Sequence, residues 1–157
     1  MTARQRPTPL LDRPGFLLSQ LGFYSAGLFT QRLSELGLHP RHFGMLIHLA
    51  TGEGRTQQQL ADSMGIHRNV MVGLVDELEH RGLVERRRHP DDRRAYALHL
   101  TPDARTLLPR AERIADGHDR DMCAPLDTTE RATLVTLLTR LAEHAGLSAG
   151  VHPGLQE

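Results

Sequence analysis

The sequence predicts a mainly α fold with a small β-hairpin, arranged as a winged helix-turn-helix flanked by long helices. Three observations lead there. Apolar residues recur at three- and four-residue spacing through most of the chain, the period of helices packed on one face. A short helical segment, QQQLADSM, is separated from a second one by a single glycine turn. The period changes to two only around LVERRR and AYALHLT, either side of the polar loop HPDDRR, as a β-hairpin requires.

Residues 1–11 contain prolines and no sustained apolar pattern, and are expected to form a flexible arm. Asp12 followed by Pro14 marks a helix start. From there Phe16, Leu17, Leu21, Tyr24, Leu28, Phe29, Leu33 and Leu36 recur at helical spacing until Gly37 and Pro40. This apolar face is wider than a surface helix needs, so part of it should pack on another chain. A second helix runs from about Pro40 to Ala50 and is broken by Gly52-Glu-Gly54. Thr56 can cap the short helix that stops at Gly65, and a longer helix follows from about His67 to His80. Its buried face is Val70 or Met71, Leu74, Val75 and Leu78, and Gly82 closes it. After the hairpin, Thr101-Pro102 opens a long helix to about Cys123, in which Pro109 should cause a kink or a restart. Asp127-Thr-Thr-Glu130 resembles a capping box that starts a last helix, ending at Gly146. The tail 147–157 is expected to be loose.

The composition excludes several classes. No apolar run approaches the ~20 residues needed to span a bilayer, and the N-terminus lacks the apolar stretch of a signal peptide. A cytoplasmic protein is expected. The lone cysteine, Cys123, has no internal disulfide partner. No glycine-rich phosphate loop, nucleophile elbow or paired catalytic motif is present, so an enzyme is not expected. Net charge is zero, with 19 basic and 19 acidic residues. A nucleic-acid binder usually carries a basic surplus, and here it is local. Six arginines fall between Arg81 and Arg94, against the acids Glu85, Asp91 and Asp92.

A short helix, a glycine turn, a second helix and a basic hairpin form an order of parts suited to double-stranded DNA. The second helix fits the major groove and presents its first residues to base edges: His67, Arg68, Asn69, Met71 and Val72. Arginine can bond guanine, and asparagine adenine, through two hydrogen bonds. Asn69 could instead cap the helix. Gln57 and Gln58 begin the preceding helix, whose outward N–H groups suit a phosphate. Arg93 and Arg94 in the loop suit a narrow minor groove, while Asp91 and Asp92 could pair with them. Arg86, Arg87 and Arg88 alternate faces, so Arg86 and Arg88 share one and are assigned to the DNA backbone. A solvated face is the plainer reading of such a run.

The segment QQLADSMGIHRNVMVGLVDELEHRGLVERRRHPDDRRAYALHLTPDA resembles the MarR family (multiple-antibiotic-resistance regulators). DDRRAYALHLT is similar to that family's wing signature of Asp-x-Arg followed by a strand ending in Leu-Thr. LVDELEHRGLVERR is similar to its recognition-helix exit and first wing strand. His89 departs from the pattern, since many members carry an acid before the proline. The resemblance covers about residues 12–146 and implies a homodimer, with helices at about 12–37 and 102–146 as the dimer body. The winged helix-turn-helix at about 40–101 would then read one half of a pseudo-palindrome. Arg94 looks like the minor-groove wing arginine and Asp92 like its supporting acid.

The resemblance also implies a repressor released by a small aromatic or phenolic effector bound between dimer body and winged lobe. Arg13, Phe16, Gln20 and Tyr24, with His42 nearby, are the residues assigned to that site. An arginine, a tyrosine and a histidine around apolar walls suit an aromatic carboxylate. A solvated Arg13 and a core Tyr24 are the alternative. Some relatives bind zinc, and His42 and His118 are the histidines to consider, although no His-x3-His pair exists and no metal site is assigned. A protein-interaction module is the remaining alternative, distinguished by having no need of a minor-groove arginine.

Overall fold

The protein, described by a computed structural model over residues 7–155, has six α-helices and one antiparallel hairpin. The helices are α1 (Pro14–Ser34), α2 (Pro40–Thr51), α3 (Gln57–Met64), α4 (Arg68–His80), α5 (Pro102–Met122) and α6 (Thr128–His144). Strands β1 (Val84–Arg88) and β2 (Tyr96–Leu100) pair in the register Val84↔Leu100 to Arg88↔Tyr96. Residues 1–6 of the expected arm lie outside the described residues, and Leu10–Asp12 form a single 3-10 turn.

Local chemistry sets the boundaries. The Thr56 hydroxyl accepts from the Gln59 backbone while the Gln59 side chain accepts from the Thr56 N–H, a reciprocal cap that starts α3. Gly65 ends it at φ +62°, a left-handed conformation that leaves no room for a side chain's Cβ without strain. Asp127 and Glu130 form the same box at α6. Helix α2 has an unforeseen version built from histidines: His39 Nδ1 accepts from the Arg41 N–H, and His42 Nδ1 accepts from the His39 N–H. Helix α5 runs through Pro109 without a restart.

The core sits in the winged lobe. Met45, Leu46, Leu49, Leu60, Met64, Met71, Val75, Leu78 and Leu98 are essentially inaccessible to solvent. The loop between α2 and α3 lies beside β2 as a short third strand. Gly54 N–H donates to Leu98 O, Leu98 N–H donates to Arg55 O, and Thr56 bridges to Ala97. This cover buries Ala97 as well as Leu98 and Leu100, so β2 does not show the half-buried alternation expected of it.

The tail corrects another expectation. Residues 148–155 are not loose but return to the winged lobe. Val151 and Leu155 are buried, His48 Nε2 donates to Gly150 O at 2.9 Å, and Leu155 packs over Gly44 of α2. Helices α1 and α6, by contrast, bury almost nothing: α6 has no buried residue and α1 only Leu33.

Candidate functional site: a nucleic-acid face and an adjoining cavity

His67 caps α4 through Nδ1, which accepts from the Asn69 N–H. That leaves the side chain of Asn69 without a hydrogen-bond partner among the described residues, and Arg68 without an ion pair. Both are exposed in the first turn of α4, and Val72 is half-buried one turn on. Met71 does not share this face. It is wholly buried in the core, because residues 71, 74, 75 and 78 form the apolar stripe, so its expected reach to a base is corrected.

On α3 the Gln57 and Gln58 backbone N–H groups have no acceptor among the described residues, as befits the first turn of a helix. The Gln57 side chain is taken up by Arg86 and that of Gln58 by Asp62 at 2.7 Å.

Arg86 is the second correction. Its guanidinium bonds Asp76 at 2.5 Å, Glu79, and Gln57 at 3.2 Å. It joins β1, α4 and the start of α3, and it is half-buried rather than turned to a phosphate. Arg87 pairs with Glu85. Arg88 stacks on the Tyr96 ring, 4.9 Å from its centroid, and donates to Arg93 O. The two loop arginines, Arg93 and Arg94, are exposed and unpaired among the described residues. Asp92 Oδ1 accepts from the Arg94 backbone N–H at 2.9 Å, so it shapes the turn rather than pairing with the guanidinium. His89 Nδ1 accepts from the Asp91 N–H and braces the other side of the loop.

A cavity of about 600 Å³ lies between α1, the start of α2 and the returning tail. Its walls include Ser25, Phe29, Arg41, Phe43, His152 and Leu155. Phe29 and Phe43 meet edge to face with ring centroids 5.7 Å apart. A second groove, lined by Asn69, Val70, Leu74 and again Leu155, continues along α4.

None of the five residues assigned to an effector lines this cavity. Arg13, just before α1, and Phe16, Gln20 and Tyr24 on it are exposed. At about 100° per residue they lie roughly opposite the stripe of Gly22, Ser25, Ala26 and Phe29 that forms the cavity wall. His42 is buried at 2% exposure behind it. Its Nε2 lies 3.0 Å from Glu77 Oε1 of α4, off the line of a well-directed hydrogen bond. Burial lowers its pKa below the ordinary histidine value, outweighing the opposing pull of Glu77. Burial alone would raise the Glu77 carboxyl, but the hydrogen bond from Arg41, at 2.7 Å, and the His42 ring beside it hold it below the usual range. The sequence carried one unread sign of the cavity: small residues at 22, 25 and 26 followed by Phe29, an i, i+3, i+4, i+7 stripe that leaves space.

Among the described residues, no three His, Cys, Asp or Glu side chains converge to hold a metal. No helix among them is long and apolar enough to cross a membrane.

Residues 36–95 match the MarR family. The chain is 41% identical to a protein assigned as a transcriptional regulator for the hcr operon of Thauera aromatica, over 81% of each chain. It superimposes with a TM-score of 0.73 and 33% identity on CouR from Rhodococcus jostii RHA1 bound to p-coumaroyl-CoA, covering 87% of this chain and 96% of that one. CouR as a transcriptional repressor bound to a 23-mer DNA duplex gives a TM-score of 0.75 and 32% identity, over 85% and 94%.

Proposed function

The chain belongs to the MarR family of transcription regulators, and from that premise we propose that it is a homodimeric cytoplasmic repressor. It binds a pseudo-palindromic DNA operator and leaves it when an aromatic acyl thioester of coenzyme A fills the cavity beside α1. The observation that carries the DNA reading is the set of unpaired polar side chains on one lobe. Among the described residues, Arg68 and Asn69 are free at the start of α4, and Arg93 and Arg94 are free on a loop braced by Asp92 and His89. Arg68 and Asn69 suit base edges in the major groove, and Arg94 suits a narrow minor groove. The likeness to a DNA-bound repressor at 32% identity supports the same assignment.

The homodimer rests on uncovered apolar surface. Leu17, Leu21, Phe23 and Tyr24 of α1, with Val135, Leu137, Leu138 and Leu141 of α6, are all at least 40% exposed. A monomer rarely leaves so many large apolar side chains open, whereas a second copy offers the same surface to cover them. The effector reading rests on the aromatic cavity and on CouR's p-coumaroyl-CoA. Leu155 contacts both the cavity and the groove along α4, so an occupant displacing it is felt at the recognition helix.

A gel shift with duplex from upstream of the protein's own gene tests this, run at two salt concentrations with and without p-coumaroyl-CoA. Binding should fall steeply with salt and be abolished by the thioester. Arg94→Ala should weaken it by about five- to 150-fold, the ~1–3 kcal/mol of one good groove contact. Absence of salt-dependent binding to any duplex overturns the DNA reading. Retention of DNA at saturating p-coumaroyl-CoA overturns the release.

A further inference from the structure

One polar pair in the cavity wall has no role in the fold's capping or ion-pair networks. Ser25 Oγ of α1 lies 2.9 Å from His118 Nε2 of α5. His118 is buried at 6% exposure, and its ring packs against Phe29 at 5.1 Å between centroids. Its Nδ1 has no hydrogen-bond partner among the described residues.

The missing partner bears on where the ring's proton sits. A buried N–H with nothing to bond is rarer in proteins than an under-used acceptor. A proton on Nδ1 would create that orphan; a proton on Nε2 leaves Nδ1 as an unused lone pair and lets Nε2 donate to Ser25 Oγ. In that form the Ser25 oxygen accepts from His118, and its own O–H is released.

That proton is not spent on the helix. Thr30, Thr106, Thr133, Thr136 and Thr139 each donate back to the carbonyl four residues earlier. Ser25 makes no such bond among the described residues. Its neighbours Gly22 and Ala26 are too small to cover it, so the hydroxyl faces the cavity beside the Phe29 and Phe43 rings.

We propose that Ser25, held by His118, is the hydrogen-bond donor that reads the acyl carbonyl oxygen of an aromatic acyl effector. The proposal rests on the effector cavity described under Proposed function. The aromatic ring of the ligand packs on Phe29 and Phe43, and the carbonyl at its end accepts the Ser25 proton. His118 is the positioning residue: it turns the hydroxyl away from the helix carbonyl and commits it to donate. A planar aromatic ligand without an oxygen acceptor at that place leaves the Ser25 hydroxyl unsatisfied and is discriminated against.

Isothermal titration of the full-length protein tests this with three probes: p-coumaroyl-CoA, its thioether analogue lacking the carbonyl oxygen, and p-coumarate. The wild type should bind the thioester at least tenfold more tightly than the thioether. Ser25→Ala should lose that preference while binding the thioether unchanged, and Ser25→Thr should restore it. His118→Gln, which can present an N–H near the same place, should keep most of the preference, and His118→Phe should lose it. The p-coumarate arm separates sources of the carbonyl: a Ser25-dependent preference for free acid over thioester makes the carboxylate the group read. Equal binding of the thioester by wild type and Ser25→Ala overturns the role of Ser25, as does an equal loss for thioester and thioether. A wild type that binds none of the three overturns the effector reading itself.

Discussion

Arg86, His42 and Glu53 show how single side chains tie the lobe together. Glu53, in the loop before α3, accepts from the Leu100 N–H at 3.0 Å and from Arg105 at 2.5 Å. The Arg105 hydrogen bond is the main reason its carboxyl stays below the usual range. A carboxyl depressed in the folded state stabilises above its unfolded pKa and stops doing so as pH falls through its lower folded value. Glu53→Gln should therefore melt below the wild type at pH 7, with a gap that shrinks as pH falls below about 4.5. His42 has a linkage of the same sign in a higher pH window. Its folded pKa is depressed, so below about pH 6.5 the unfolded chain takes up a proton that the folded one resists. Stability contributed by this residue falls as pH drops through that window. His42→Gln, lacking the titration, should be less stable at pH 7 but narrow its deficit towards pH 5.5, as thermal melts at several pH values would read.

At the scale of elements, the recognition helix and the wing are one rigid unit. Asp76 and Glu79 of α4 hold Arg86 of β1, and the α2–α3 loop pairs with β2 on the other side. The charge on Arg86 is thus spent within the lobe. Arg86→Ala should weaken DNA binding by loosening the wing, without changing the slope of log affinity against log salt. Arg93→Ala should reduce that slope by about one if the residue meets a phosphate. A reduced slope for Arg86→Ala would return it to the DNA face. The returning tail is also an element in its own right. Leu155 is 4% exposed, so Leu155→Ala should cost about 2 kcal/mol of stability and widen both the cavity and the groove along α4. A melting temperature unchanged by that substitution would count against the docked tail.

The molecule as a whole divides into a lobe that is packed and a body that is not. Buried side chains concentrate in α2 to β2, while α1 and α6 present leucines and Phe23 to solvent. Such a body acquires its stability from association, so the melting temperature should rise with protein concentration. Leu138→Asp should yield a smaller species in analytical ultracentrifugation, one that binds operator DNA far more weakly because a single lobe contacts one half-site.

Local chemistry made most of the fold legible before any coordinates. The caps at Thr56, Thr101 and Asp127, the turn at Gly65 and the change of period after Gly82 are decided by residues within a few positions of one another. Helix α4 and the exposed loop arginines followed from the same local rules. What failed were assignments needing a third dimension. Met71 satisfied both the buried stripe and the DNA face until packing placed it at zero exposure. Arg86 looked like its neighbours because Asp76, Glu79 and Gln57 are distant in sequence. The residues assigned to an effector lie across α1 from the cavity lining, because the helix's outward face is as apolar as its inward one and only the positions of α2, α5 and the tail distinguish them. The sequence by itself determined which segments are helix, turn and wing, since those depend on neighbours along the chain. The tertiary structure alone decided which arginines remain free and where the cavity opens, because both depend on side chains brought together from opposite ends of the chain.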